Sequence, residues 1–430
     1  MAGPFTSETY QSGDGNLNEP ITVGRLGQPV RIGGGTDWQN IGSGPVADRP
    51  SAADFGHGTW HDGSDLYISD SIGWKKVSST RLPTLKWDAA KAAASAGFGQ
   101  ARLLSIGDST TVGYYATTSG SATVDSGKNS PPFRLAKAMT LRHGIPTSYS
   151  NIYGAHGIST AANLSAYDPR VTFGTGWAVS AVQTLGGNFL SNATTNLTAM
   201  SFLPLSDFDL IEIYWRRGSG FGTFTVDIGA GVLATISTSG TAGIGRTVVA
   251  ATLGTNTVNL TKTNATTAEV SIAGISLYKL NAEVQVINAG IIGIAADTYF
   301  NSAADGPEAV ITSLAPNLTT INLGINDIVA ATPIETFKTK YQAIINKALL
   351  YGDVVLFVPN PTTGYANEAA YYQAIRDLGA LNSLNVIDLS EGMGTDYAIP
   401  NALGLMSGVH PKTTGYKVIE NITMDSGIFN

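Results

Sequence analysis

Hydrophobic and polar positions change their period several times along this chain. Through residues 1–80, short β-like runs (Ile21-Thr22-Val23, Val30-Arg31-Ile32, Leu66-Tyr67-Ile68) alternate with turns such as Gly33-Gly34-Gly35 and Asp62-Gly63. Such small hairpins are marginal alone and gain stability by packing on a partner or on their own copies. Residues 81–98 then turn Ala- and Lys-rich and read as a helical linker ended by Gly97. From 99 the pattern is strand, polar loop, helix: Ala101-Arg102-Leu103-Leu104-Ser105-Ile106, then Phe133 to Met139.

Between 171 and 282 the runs are short and β-branched, with Gly, Asn and Thr turns and no helix between them. Asp209 to Trp215, Gly222 to Ile228, Thr247 to Ala251, Thr257 to Leu260 and Ala268 to Ile272 are the clearest. That spacing predicts an antiparallel β-sandwich. After 283 strand and helix alternate again, with strands near 284–288, 321–323, 353–358 and 385–389 and helices over 336–350, 369–381 and from Gly415. Alternation of this kind predicts a parallel sheet with helices on both faces. The expected organisation is a β-rich region (1–80), a linker (81–98), and an α/β domain in two parts (99–170 and 283–430) interrupted by the sandwich (171–282).

Composition narrows the function classes. Charged residues are 13% of the 430 positions, glycine contributes 50, and the formal net charge is −7. With no basic run, a phosphate-binding surface is not expected, so nucleic acid and an anionic membrane surface are set aside as partners. Cysteine is absent, which excludes disulfides, thiolate zinc sites and cysteine nucleophiles. Residues 1–6 have neither a basic segment nor an apolar core, so no secretion signal is expected there. The most apolar window, 284–296, contains Gln285, Asn288 and two glycines. It is too short and too polar for a bilayer span, and a soluble protein is expected.

Three blocks carry candidate chemistry: Gly107-Asp108-Ser109, Gly324-Ile325-Asn326-Asp327, and Gly408-Val409-His410-Pro411. The first two follow predicted strands, and sites in open parallel sheets form beyond the carboxyl ends of strands. Acyl transfer needs a nucleophile, a general base and donors for the oxyanion. A serine, a late histidine and an asparagine amide supply those types. Taken singly, the serine would be an N-cap and Asn326-Asp327 a turn pair. Their order and placement favour a site. No spacing of His, Asp and Glu suggests a metal.

The blocks together resemble the SGNH (GDSL-like) hydrolase family over roughly 99–160 and 283–425. The resemblance implies a three-layer α/β/α fold with Ser109 as nucleophile, His410 as base, and an oxyanion hole of Ser109, Gly293 and Asn326. Gly107, Asp108 and Gly324 complete the supporting motifs, and no cofactor is required. The family pattern places an aspartate three residues before the histidine; here that residue is Ser407. Three alternatives stand: Ser407 holds the imidazole, a carboxylate such as Asp396 or Asp327 is recruited in space, or the domain only binds.

The sandwich contains Trp177, Tyr214, Trp215 and Phe221, and aromatic faces of this kind stack on sugars. Trp177, Trp215, Tyr153 and His156 are the candidate substrate contacts, against a core role for alternating aromatics such as Tyr214 or Phe224 and a structural role for His156. Arg216 and Arg217 either bind a carboxylated sugar or are simply solvated. Stretches 34–42, 47–52 and 56–60 resemble small β modules of bacteriophage tail fibre and receptor-binding proteins. This resemblance implies a virion protein, a homotrimer, other tail proteins as partners, and an acetylated bacterial polysaccharide as substrate. A non-catalytic glycan-binding protein and a lipase or thioesterase are the alternatives.

Overall fold

The structure is a computed structural model that describes residues 82–116, 124–301, 303–365 and 367–430, together with the backbone of five strands between 30 and 79. The chain divides into two compact units, Met1–Pro83 and Thr84–Asn430. In the first unit the strands Val30–Ile32, Gln39–Ser43, His57–His61, Asp65–Asp70 and Trp74–Ser79 form one sheet in chain order. The expected strand at 21–23, the turns at 33–35 and 62–63, and the stretch 47–52 lie outside the described residues.

The second unit is built on a six-stranded sheet. Its order is Asn385–Asp388, Asp353–Val358, Leu318–Asn322, Ala101–Gly107, Val284–Gly290, Thr147–Ser148, all parallel. Successive side chains of a strand point to opposite faces, and here both faces are covered. Leu104 and Ile106 join a core with the helices Pro307–Leu314, Ile334–Leu349 and Glu368–Leu381. Ala101 and Leu103 face the helices Leu85–Ser95, Pro131–His143 and Thr413–Asp425. Burial on both sides explains why these strands read as near-continuous apolar runs. This is the expected three-layer α/β/α arrangement with inserted antiparallel sheets.

The inserted sheets are a six-stranded and a five-stranded one, all antiparallel, with a third core that includes Phe202, Phe224 and Ile272. Two boundaries differ from expectation. Asn151–Tyr153, read as part of the first α/β segment, pairs with Val270–Tyr278 in the six-stranded antiparallel sheet. The Leu85–Ser95 helix is docked rather than a linker: Trp87 is fully buried and its Nε1 donates to Ile428 O at 3.0 Å. Composition could not show that the one tryptophan in an Ala-rich segment has a socket in the last residues of the chain.

Candidate active site

The central strand Ala101–Gly107 delivers the nucleophile block. Gly107 is required there, because a Cβ would lie 2.0 Å from Thr111 Oγ1 and 2.9 Å from Asn322 O. Asp108 then caps the short helix Ser109–Val112, accepting from Thr110 N and Thr110 Oγ1, each at 2.8 Å. Ser109 is therefore the first residue of a helix at the carboxyl edge of the sheet. Its side chain hydrogen-bonds His410: Oγ to Nε2 is 2.8 Å, across 301 positions of sequence.

His410 sits at the end of a two-residue antiparallel pairing, Met406–Ser407 with His410–Pro411, in which Ser407 lies opposite His410. Burial pushes its imidazole down to about 4. Its neutral form, which can accept the serine proton, thus persists to low pH. Among the described residues no carboxylate pairs with His410 and Nδ1 has no hydrogen-bond partner, Ser407 included. The two carboxylates considered for that role are engaged elsewhere. Asp396 is on an exposed turn, accepting from Ala398 N at 2.8 Å. Asp327 is buried and accepts from Ala296 N at 3.0 Å.

One loop, 291–294, joins the nucleophile turn to Asn326. Ile291 N–H donates to Gly107 O at 3.0 Å, which ties the 291–294 segment to the nucleophile turn. Asn326 Nδ2 donates to Ile294 O at 2.8 Å, leaving its second N–H. Gly293 has φ +76° and Gly324 φ +131°, conformations that favour glycine. The backbone N–H groups of Ser109 and Gly293 have no protein acceptor among the described residues.

The acidic residues of the two motifs are structural. Burial pushes Asp108 up to about 6 against its Thr110 bonds, and the Asp327 charge adds to the rise. Burial likewise pushes Asp327 to about 6. One oxygen of each, Asp108 Oδ2 and Asp327 Oδ1, is buried without a partner.

The four candidate sugar contacts are not at a surface. Trp177 is buried and donates to Thr198 O at 2.9 Å; Trp215 is buried and donates to Thr247 Oγ1 at 3.1 Å. Tyr153 is fully buried, with its hydroxyl 2.9 Å from Ser276 Oγ. His156 is buried with Nδ1 3.0 Å from Gly290 O, and its own carbonyl accepts from Ile292 N, so it buttresses the loop that carries Gly293. Large amphipathic rings alternate into a sandwich core as readily as out of it. Arg216 is committed to Asp305 and Glu269, and Arg217 Nε to Thr241 O.

Sequence reasoning missed three neighbours of the histidine. Tyr114 and Tyr115 pack on its ring, and Asn360 Nδ2 donates to Val409 O at 3.0 Å. Asn360 was findable as a polar residue just past the end of the strand Asp353–Val358, where sheet sites form.

Residues 239–418 match the GDSL-like Lipase/Acylhydrolase family, a span that holds Gly293, Asn326 and His410 but not Ser109. No curated protein matches the chain. A solved peptidoglycan O-acetylesterase is similar in structure at 16% identity and TM-score 0.60, over 79% of this chain and 94% of that one. An acetyl xylan esterase, AlAXEase, is 22% identical with a TM-score of 0.29, over 33% of this chain and 81% of that one. A family two carbohydrate esterase from Cellvibrio japonicus is 11% identical with a TM-score of 0.28, over 65% and 97%. Residues 239–418 are thus similar in sequence to the GDSL-like acylhydrolases, and the fold is shared with a solved peptidoglycan O-acetylesterase.

Proposed function

We propose that this protein is a serine esterase that removes O-acetyl or other small acyl groups from a bacterial surface polysaccharide. The observation that carries the reading is the 2.8 Å contact between Ser109 Oγ and His410 Nε2. Ser109 Oγ attacks the ester carbonyl as His410 Nε2 takes its proton. The N–H groups of Ser109 and Gly293 and the free N–H of Asn326 Nδ2 hold the oxyanion. His410 returns the proton to the leaving sugar hydroxyl, and water then releases the acid by the same steps. The acetyl preference is supported by the likeness to a peptidoglycan O-acetylesterase. The polysaccharide, the place in a phage tail, the neighbouring tail proteins and a homotrimer are supported by the motifs of residues 34–60.

The test is acetate release from O-acetylated polysaccharide and from a chromogenic acetyl ester, in wild type and Ser109→Ala. Wild type is expected to turn over both, and Ser109→Ala to lose at least about 10³-fold in kcat. The bare Nδ1 of His410 favours a second reading, a domain that grips glycan without cleaving it. Equal background rates in both proteins, with retained glycan binding, would establish that reading instead. Activity rising with acyl length would point to a lipase.

A further inference from the structure

We propose that Tyr114 and Tyr115 are the positioning residues of His410, holding the imidazole by ring packing where the family pattern uses a carboxylate. This rests on the esterase reading of Ser109 and His410. The Tyr114 and imidazole centroids are 4.8 Å apart with planes at 45°; for Tyr115 the values are 5.8 Å and 41°. Both tyrosines follow the nucleophile helix directly, so one segment presents the serine and grips its base.

The backbone around them is specialised for this. Tyr115 has φ +64°, a left-handed conformation that bulky residues avoid and that clusters at functional sites. Gly113, with φ +87°, lets the segment turn against Ser130, whose Cα would lie 2.7 Å from a Cβ at that position. Fully buried Tyr416, six positions after the histidine, donates to Tyr114 O at 2.8 Å. Asn360 holds the carbonyl of Val409 from the other side. The histidine loop is thus pinned before and after the ring, and the ring itself is packed.

A neutral imidazole that accepts from Ser109 at Nε2 carries its proton on Nδ1. A carboxylate would fix that tautomer and stabilise the imidazolium formed during attack. Among the described residues, the side chains in hydrogen-bond or ring contact with the imidazole are Ser109, Tyr114 and Tyr115. Aromatic packing fixes the ring orientation. The substitute is weaker than a carboxylate, so restoring the carboxylate has a measurable effect.

The experiment uses the full chain with Tyr114→Ala, Tyr115→Ala, Tyr115→Phe, and Ser407→Asp added to Tyr114→Ala. On a small chromogenic acetyl ester, kcat is expected to fall about tenfold in each alanine variant with KM within about twofold. Tyr115→Phe, which keeps the ring face, restores most of the rate. Ser407→Asp raises kcat above that of Tyr114→Ala alone and moves the acid limb of the pH profile upward, because a carboxylate favours the imidazolium. The His410 Hε1 proton resonance reads the contact without turnover: it moves in both alanine variants and stays near its wild-type position in Tyr115→Phe. An unmoved resonance, unchanged kcat in the alanine variants, or a loss confined to KM overturns the proposal. A wild type that does not hydrolyse esters overturns the esterase reading, and the proposal with it.

Discussion

At the scale of single residues, the buried imidazole governs the pH response. With His410 pushed down to about 4 by burial, the base is neutral above that pH. The acid limb of kcat/KM is therefore expected near 4 rather than near the ordinary 6.5, and a profile titrating near 6.5 would show that burial does not depress the imidazole. Asn326→Ala removes one oxyanion donor and is expected to lower kcat about 10²–10³-fold, measured on the same acetyl ester. Ser109 and Asn326 were legible because each stands in a short motif at a strand end, and His410 because it follows them in the order of the family's blocks. Asp327 was legible as a motif residue but not as a liability. Its carboxyl is pushed from 3.8 to about 6 by burial, so the folded state binds more protons than the unfolded chain. Its ionisation lowers stability as pH rises through that window. Asp327→Asn is expected to raise Tm at pH 8 and to leave it nearly unchanged at pH 3.5, as scanning calorimetry at the two values would show.

At the scale of elements, the sandwich and the α/β sheet are joined through a buried ion cluster. Glu212, fully buried on the strand Phe208–Arg217, meets Arg102 of the nucleophile strand at 2.7 Å and also binds Arg246 and the Tyr214 hydroxyl. Removing one member of such a cluster strands the remaining charges, so Glu212→Ala is expected to cost about 3–5 kcal/mol in urea unfolding. The strands themselves were readable from alternation and apolar runs. This joint was not, because period 2 tells which face a residue occupies and not which distant partner waits on that face. The same blindness explains Trp177 and Trp215, whose rings turned inward. It also explains the Leu85–Ser95 helix, whose weak amphipathic pattern concealed the buried Trp87.

At the scale of the whole molecule, the two compact units predict separable duties. A chain of residues 84–430 is expected to keep the wild-type kcat on a small soluble ester, since every site residue named here falls within that unit. Light scattering on the same two proteins tests whether the proposed trimer depends on residues 1–83.

The sheet order has a consequence for biosynthesis. The strand bearing the nucleophile turn is flanked by Val284–Gly290 and Leu318–Asn322, and the helix before it closes onto Ile428. A ribosome must therefore add well over a hundred residues beyond Gly107 before this strand finds its first sheet neighbour, which begins at Val284. In the interval its apolar faces need shelter from chaperones or from transient collapse. Truncation before Ile428, which would strand the Trp87 helix, would leave material that is prone to aggregate, not a slightly slower catalyst.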